Sequence, residues 1–579
     1  MFLKNLGLLT AFILMVGCAS LNSDNGKTPI SKQGGDASVL LPELDKSAKN
    51  VAVSPMSSAM LFSLLGGEIA GQRGEMHLAS AFYTDASKRS GDPQVALRAA
   101  QIALFTNNTS AAKSAIELLL QKGVTTPQVQ RLALAVYLRL SDLVNSQKYT
   151  ANLLNENSVP VRNTVLNVGQ IILKNSAPEI ADEMVDYLLS KSQHEAAAYL
   201  VQSQFKLNQG DLIGATQAAR NVVKQDKHWS MGFVQLAKVY EAQGDVKQAL
   251  LVLKEAQEEL DDVILLKAYG QLLARDAQYG LAEESLKQVL KKRPADAEAT
   301  YALGLVQLKQ NDSLSASRQF QKLVSHAAYH SKAVFYLGRI AYQKKHYSHA
   351  LKWYAQVALG SEYIPAQKTM AMIEGAMGNV EAARRRLKDL RERYSAEEKQ
   401  LYLLEAEILL DEQQYEQVYA LMTEALNKDG EAVTIRYTRS IALTELSRTS
   451  EAEKDLLRVL DADPANANTL NALGYLLASK TFRFKEARQY LTKALSLKPS
   501  EPAILDSMGW LDYREGRYEK ALDLLQRAHA ASPEGEIAAH LGEVLWVLGR
   551  QAEAKEIWTA AAMRDPGNKH LLEALKKLK

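Results

Sequence analysis

With one cysteine, Cys18, among 579 residues, the chain can form no intramolecular disulfide and no cysteine-built metal cluster. Proline is scarce as well, at 14 residues, and the apolar residues recur at helical spacing, so the chain is expected to be almost all-α. Neither sign of charge dominates: 69 lysines and arginines stand against 66 acidic residues, a net charge of +3. That balance implies no nucleic acid or other strongly charged partner. Catalytic patterns are missing too. His194-Glu195 begins like a zinc-protease helix, but Ala198 stands where the second histidine would be needed. There is no Gly-x-Ser-x-Gly elbow and no dinucleotide fingerprint. Gly26-Lys27-Thr28 ends like a phosphate-binding loop, but Leu21 occupies the place of its first glycine. His326 and His330, and His346 and His349, have helical metal-ligand spacing, yet no carboxylate or further histidine completes either pair. They read as solvated surface residues. The expectation is a protein that is not an enzyme and that holds no cofactor and no metal.

What the chain has in quantity is repetition. Between Asn468 and Pro566 one pattern is stated three times. Gly474, Gly509 and Gly542 recur at intervals of 35 and 33 residues; Ala487, Ala521 and Ala554, and Pro499, Pro533 and Pro566, recur at 34 and 33. Each copy adds a large apolar residue (Leu491, Leu525, Trp558) and a second alanine (Ala494, Ala528, Ala561) before its proline. Glycine and alanine mark places where helix axes approach closely, and proline stops one helix and starts the next. This spacing resembles the tetratricopeptide (TPR) repeat, a helix–turn–helix hairpin that buries its apolar face only by stacking on neighbours. The resemblance implies an all-α solenoid of helix–turn–helix units wound as a right-handed superhelix.

Taken in order, residues 1–17 read as a lipoprotein signal peptide, with Lys4 in its charged region and a run from Leu6 to Val16 too short to span a bilayer. Leu14-Met15-Val16-Gly17-Cys18-Ala19-Ser20 resembles a bacterial lipobox, which implies lipidation of Cys18. Ala19 after the cysteine favours the outer membrane, where the protein would face the periplasm. Residues 18–50 have the composition of a flexible tether. Residues 51–195 read as about four degenerate helical repeats, in which the glycine and alanine positions fade after the second; a separate helical domain is the alternative. From 196 to 567 about eleven repeats are expected, and 568–579 form a capping helix with Leu571, Leu572, Leu575 and Leu578 on one face. The basic run Arg384-Arg385-Arg386, with Lys388, Arg391 and Arg393, is expected on a solvated outer helix.

In TPR proteins the first helix of each repeat lines the concave face. The resemblance therefore points inward Tyr437, Asn468, Asn471, Tyr475, Asp506, Trp510, Tyr513 and Trp546, together with Tyr301, Phe335, Arg339, Tyr342 and Arg514. Tyrosine, tryptophan, arginine and asparagine combine contact area with a polar handle, as partner-binding hot spots do. More narrowly, Glu68-Ile69-Ala70-Gly71-Gln72-Arg73-Gly74, followed by Asp92-Pro93 and Ala96 to Ala100, is similar to the lipoprotein binding partners of carboxyl-terminal processing proteases. That likeness implies a non-catalytic adaptor that binds a periplasmic serine protease and presents envelope substrates such as peptidoglycan hydrolases to it. A TPR lipoprotein of outer-membrane protein assembly, pilus biogenesis or polysaccharide export is the alternative.

Overall fold

The computed structural model describes residues 57–156, 160–192, 194–430 and 432–578. The signal peptide, Cys18 and the tether up to residue 50 lie outside the described residues. Within them are 31 α-helices and no strand. None of these helices is long and apolar enough to cross a membrane. The chain divides into two compact units, with the break inside the helix His330–Gln343, between residues 340 and 341.

The helices follow one another as hairpins of the TPR type. Four hairpins lie between Ser58 and Lys191, and eleven run from Glu195 to Arg564, before a last helix, Lys569–Leu575. Local chemistry sets the starts. Asp142, Asp211, Asp245 and Asp312 each accept the backbone N–H three residues ahead and so cap the second helix of their hairpins. Pro93, Pro127, Pro178 and Pro502 open helices, where the missing N–H costs nothing. Pro499, Pro533 and Pro566 stand between hairpins, outside any helix.

In thirteen of the fifteen hairpins the turn holds one residue in the left-handed region, the turns at Ser176–Ala177 and Thr481–Arg483 being the exceptions. Gly516 fills it at φ 78°, and Gly74, Gly210, Gly244, Gly378 and Gly549 do the same. Elsewhere Asn107, Ser141, Ala277, Asn311, Lys345, Gln413 and Ser447 take the conformation despite their Cβ atoms. An L-residue there costs roughly 1–2 kcal/mol relative to glycine. Gly516→Ala is therefore expected to destabilise by about 1 kcal/mol and Ala277→Gly to stabilise by a few tenths to about 1 kcal/mol, the larger chain entropy of unfolded glycine offsetting part of the gain. Urea midpoints of the two variants, moving in opposite directions, check this.

The repeat positions also explain how the two helices of a hairpin meet. A Cβ built on Gly474 would fall 2.5 Å from Leu491 Cγ, on Gly509 2.7 Å from Leu525 Cγ, and on Gly542 2.0 Å from Trp558 Nε1. The glycine of the first helix is thus the seat of the large apolar residue of the second, and Leu491, Leu525 and Trp558 are fully buried. Gly304 seats Phe320 in the same way. Between 93 and 191 the small residues persist in other forms. Ala100, Ala103, Ala112 and Ala133 are fully buried, as are Ser146 and Thr150 on the second helix of their hairpin.

Several arginines that a linear reading leaves to solvent are committed to structure. Arg384 and Arg391 converge on the buried carboxylate of Glu405 at 3.0 and 2.5 Å, and Arg386 grips both oxygens of Glu374 at 2.6 and 3.0 Å. The basic run is therefore divided: Arg385, Lys388 and Arg393 are exposed as expected, while Arg384, Arg386 and Arg391 are not left to solvent. Its helix is bonded through these residues to the first helix of its own hairpin and to that of the next. Arg514, expected in the groove, instead donates to the carbonyls of Ala478 and Ser479 at 2.9 and 3.0 Å, closing the end of the neighbouring helix Ala467–Lys480.

Candidate partner-binding groove

In the unit that begins at Ala341, the first helices of the last hairpins are Val433–Glu445, Ala467–Lys480, Pro502–Arg514 and Gly535–Val547, continued by the final helix Lys569–Leu575. From Ala467–Lys480 onward each packs against the next. The face they share is concave, because Lys569 of the last bridges to Glu445 of the first, 124 residues back in the chain. Tyr475 likewise reaches past one intervening first helix to donate its hydroxyl to Glu536 Oε1 at 2.8 Å.

At the centre of this face Asp506 accepts a hydrogen bond from His540 Nδ1, at 3.0 and 3.1 Å from its two oxygens. Trp510, one turn beyond Asp506, lies flat on the His540 imidazole with centroids 4.0 Å apart, and Tyr513 stacks on Trp510 at 4.9 Å. Tyr475 closes the other side of His540 at 6.2 Å, and His570 approaches it edge-on at 6.0 Å. Burial works against charge on His540, but the carboxylates of Asp506, Glu536 and Glu543 outweigh it and raise its pKa. For His570 burial prevails and the pKa falls. Burial, with Glu536 and Asp506 adding to it, pushes the Tyr475 phenol well up, so at neutral pH it stays protonated and able to donate. The result is a partly exposed aromatic ledge, Trp510 and Tyr513, beside a polar cluster carrying donors and acceptors.

The structure thus brings together Tyr475, Asp506, Trp510 and Tyr513 and places the other predicted residues elsewhere. Asn468 is exposed and accepts from Lys498 at 3.2 Å. Asn471 is buried, its side-chain oxygen without a hydrogen-bond partner among the described residues. Tyr437 packs against the apolar cores on either side of it, and burial raises its pKa. Trp546 stacks on Trp558 at 5.7 Å, at the interface with its own second helix. In the unit that ends at Ile340, Tyr301 joins an aromatic cluster with Phe320, Tyr329 and Tyr336, all within 6.1 Å, and Phe335 meets the same Tyr336 edge-on at 5.4 Å. Arg339 lies over the Tyr336 ring. Tyr342 lies 6.1 Å from Tyr347. Sequence reasoning missed Glu536, His540 and His570. The first two are four apart on one helix face, and His570 follows 30 residues later, close to one repeat period.

The tetratricopeptide-repeat profile matches residues 267–316, 301–363, 437–502 and 507–569. The last two segments cover most of the groove described above, with Asp506 and His570 just outside them. TPR repeat-containing protein PA4667 of Pseudomonas aeruginosa is 31% identical over 549 residues, spanning 93% of this chain and 90% of that protein. Anaphase-promoting complex subunit 7 of Mus musculus is 28% identical over 114 residues, 20% of each chain. Among solved structures, Pseudomonas aeruginosa pilF aligns with 35% of this chain and 95% of its own at 18% identity and a TM-score of 0.31. The Cut9 and Hcn1 tetramer of the anaphase-promoting complex aligns over 85% and 97% at 14% identity and a TM-score of 0.28. The near full-length match at 31% identity, together with the repeat profile and the hairpin architecture, places this chain in the family of TPR repeat-containing proteins to which PA4667 belongs.

Proposed function

We propose that this chain is a non-catalytic, lipid-anchored adaptor whose C-terminal groove binds a periplasmic carboxyl-terminal processing protease and presents envelope substrates, such as peptidoglycan hydrolases, to it. TPR repeats are protein-interaction scaffolds, and the observation that carries the reading to this face is the Trp510–Tyr513 ledge beside Tyr475 and Asp506. Large amphipathic rings next to fixed polar groups are the composition of a hot spot. The protease as partner rests on the sequence likeness at Glu68–Gly74 and Asp92–Ala100. Cys18 would carry the acyl anchor at the outer membrane, facing the periplasm, and 19–50 the tether. Anchoring then acts by raising the effective concentration of protease near its substrates.

Affinity capture from an envelope extract, followed by mass spectrometry, tests the identity of the partner. A processing protease is expected to be retained by the unmodified chain and to fall about tenfold or more with Trp510→Ala. Recovery of outer-membrane assembly, pilus or export components with no protease would overturn this reading.

A further inference from the structure

The polar end of the groove has the make-up of a metal site. Glu536, His540 and His570 each offer one ligand atom, and the three atoms lie within 4.8 Å of one another. His570 Nε2 stands 3.8 Å from Glu536 Oε1. Glu536 and His540 are one helical turn apart on Gly535–Val547, and His570 is delivered by the final helix packed against it. Two imidazoles and a carboxylate suit zinc and similar borderline divalent ions better than magnesium or calcium, which prefer all-oxygen sets.

The surroundings already orient the ligands. The Asp506 carboxylate accepts a hydrogen bond from His540 Nδ1, which favours the tautomer with Nε2 as the lone-pair nitrogen, the carboxylate–histidine arrangement that stands behind many metal-bound imidazoles. Trp510 fixes the plane of that ring from 4.0 Å, and the Tyr475 hydroxyl holds Glu536. The other histidine pairs of the chain differ here. His326 and His330, and His346 and His349, lie in single short stretches, and among the described residues no carboxylate joins them in a three-ligand group.

We infer that Glu536, His540 and His570 bind a zinc-class divalent ion, with Asp506 and Tyr475 as positioning residues, and that the ion ties the final helix Lys569–Leu575 to the last hairpin. Three protein ligands leave a tetrahedral ion one coordination position for water or for a group on a docked partner.

Calorimetric titration of the tag-free full chain with zinc and, separately, with magnesium tests this directly. One tight equivalent of zinc is expected and no comparable uptake of magnesium. His570→Ala, at a half-exposed position, is expected to weaken zinc at least tenfold while leaving the far-UV dichroism unchanged. Asp506→Asn is expected to weaken it by about 10- to 100-fold. Cobalt in place of zinc should give a tetrahedral visible spectrum that His540→Ala and His570→Ala both abolish. Absence of saturable zinc binding, or a tight equivalent that survives both histidine substitutions, would overturn the proposal.

Discussion

Trp558→Ala is expected to destabilise the C-terminal end of the solenoid by about 3–5 kcal/mol, the range for truncating a fully buried large aromatic. The side chain is wholly inaccessible, its indole N–H donates to the Ala539 carbonyl at 3.2 Å, and its ring stacks on Trp546. Truncation opens a cavity at the seat provided by Gly542, in a hairpin whose outer side is covered by the single helix Lys569–Leu575. Because each hairpin packs mainly against its immediate neighbours, the loss should appear as early unfolding of residues 535–575 rather than of the whole chain. Hydrogen exchange by mass spectrometry reads this out segment by segment. The same seat makes a second, coupled prediction. Gly542→Ala alone is expected to cost about 1–3 kcal/mol, since its methyl would collide with the indole. In the Trp558→Ala background that cost should largely vanish, because the cavity accepts the methyl. Equal costs in both backgrounds would show that the glycine serves something other than the indole.

Removing the Glu405 carboxylate is the other large effect. Glu405→Ala is expected to cost about 3–5 kcal/mol, because it strands charge in the interior. Its two oxygens receive Arg384 and Arg391, and Arg391 is itself buried, with its guanidinium 4.2 Å from the centroid of Tyr402. Arginine cannot shed its proton at any ordinary pH, so neutralisation offers no escape. Glu405→Gln, which keeps the volume, should recover little. The paired change Arg391→Met with Glu405→Leu should recover most of the loss, because it removes the charge along with its partner. Denaturant midpoints of the three variants check the order.

The two predictions fall on opposite sides of what the sequence makes legible. The Gly542–Trp558 contact is visible as a period: a small residue on one helix and a large one about 16 positions later, three times over. Close packing admits few solutions to that pattern, so the hairpin and its interior follow from spacing alone. The turn is nearly as legible where glycine supplies it, at Gly516, and illegible at Lys345 or Gln413, where the stacked repeats impose the left-handed conformation on a residue that disfavours it. Glu405 lies on the other side. Nothing in a run of arginines says which are solvated and which are bound, since their partners sit 12 to 21 residues away on the preceding or the following helix. The groove shows the same limit. Helical periodicity assigns residues to a first helix, but not to its inner face or to the face against its own second helix. Trp510 and Trp546 occupy neighbouring first helices, and one stacks on His540 in the groove while the other stacks on Trp558. The cluster of Glu536, His540 and His570 needed the final helix to be placed before its third member could be recognised.

The central claim is that the face carrying Tyr475, Trp510 and Tyr513 is where a processing protease docks. The most direct measurement is the affinity of the purified full chain for a purified carboxyl-terminal processing protease, with Trp510→Ala and Tyr475→Ala compared against Lys520→Ala on an exposed second-helix position. Saturable binding that drops about tenfold or more for both groove variants and is unchanged for Lys520→Ala is the predicted result. Absence of binding, or equal affinity for all four proteins, would contradict it.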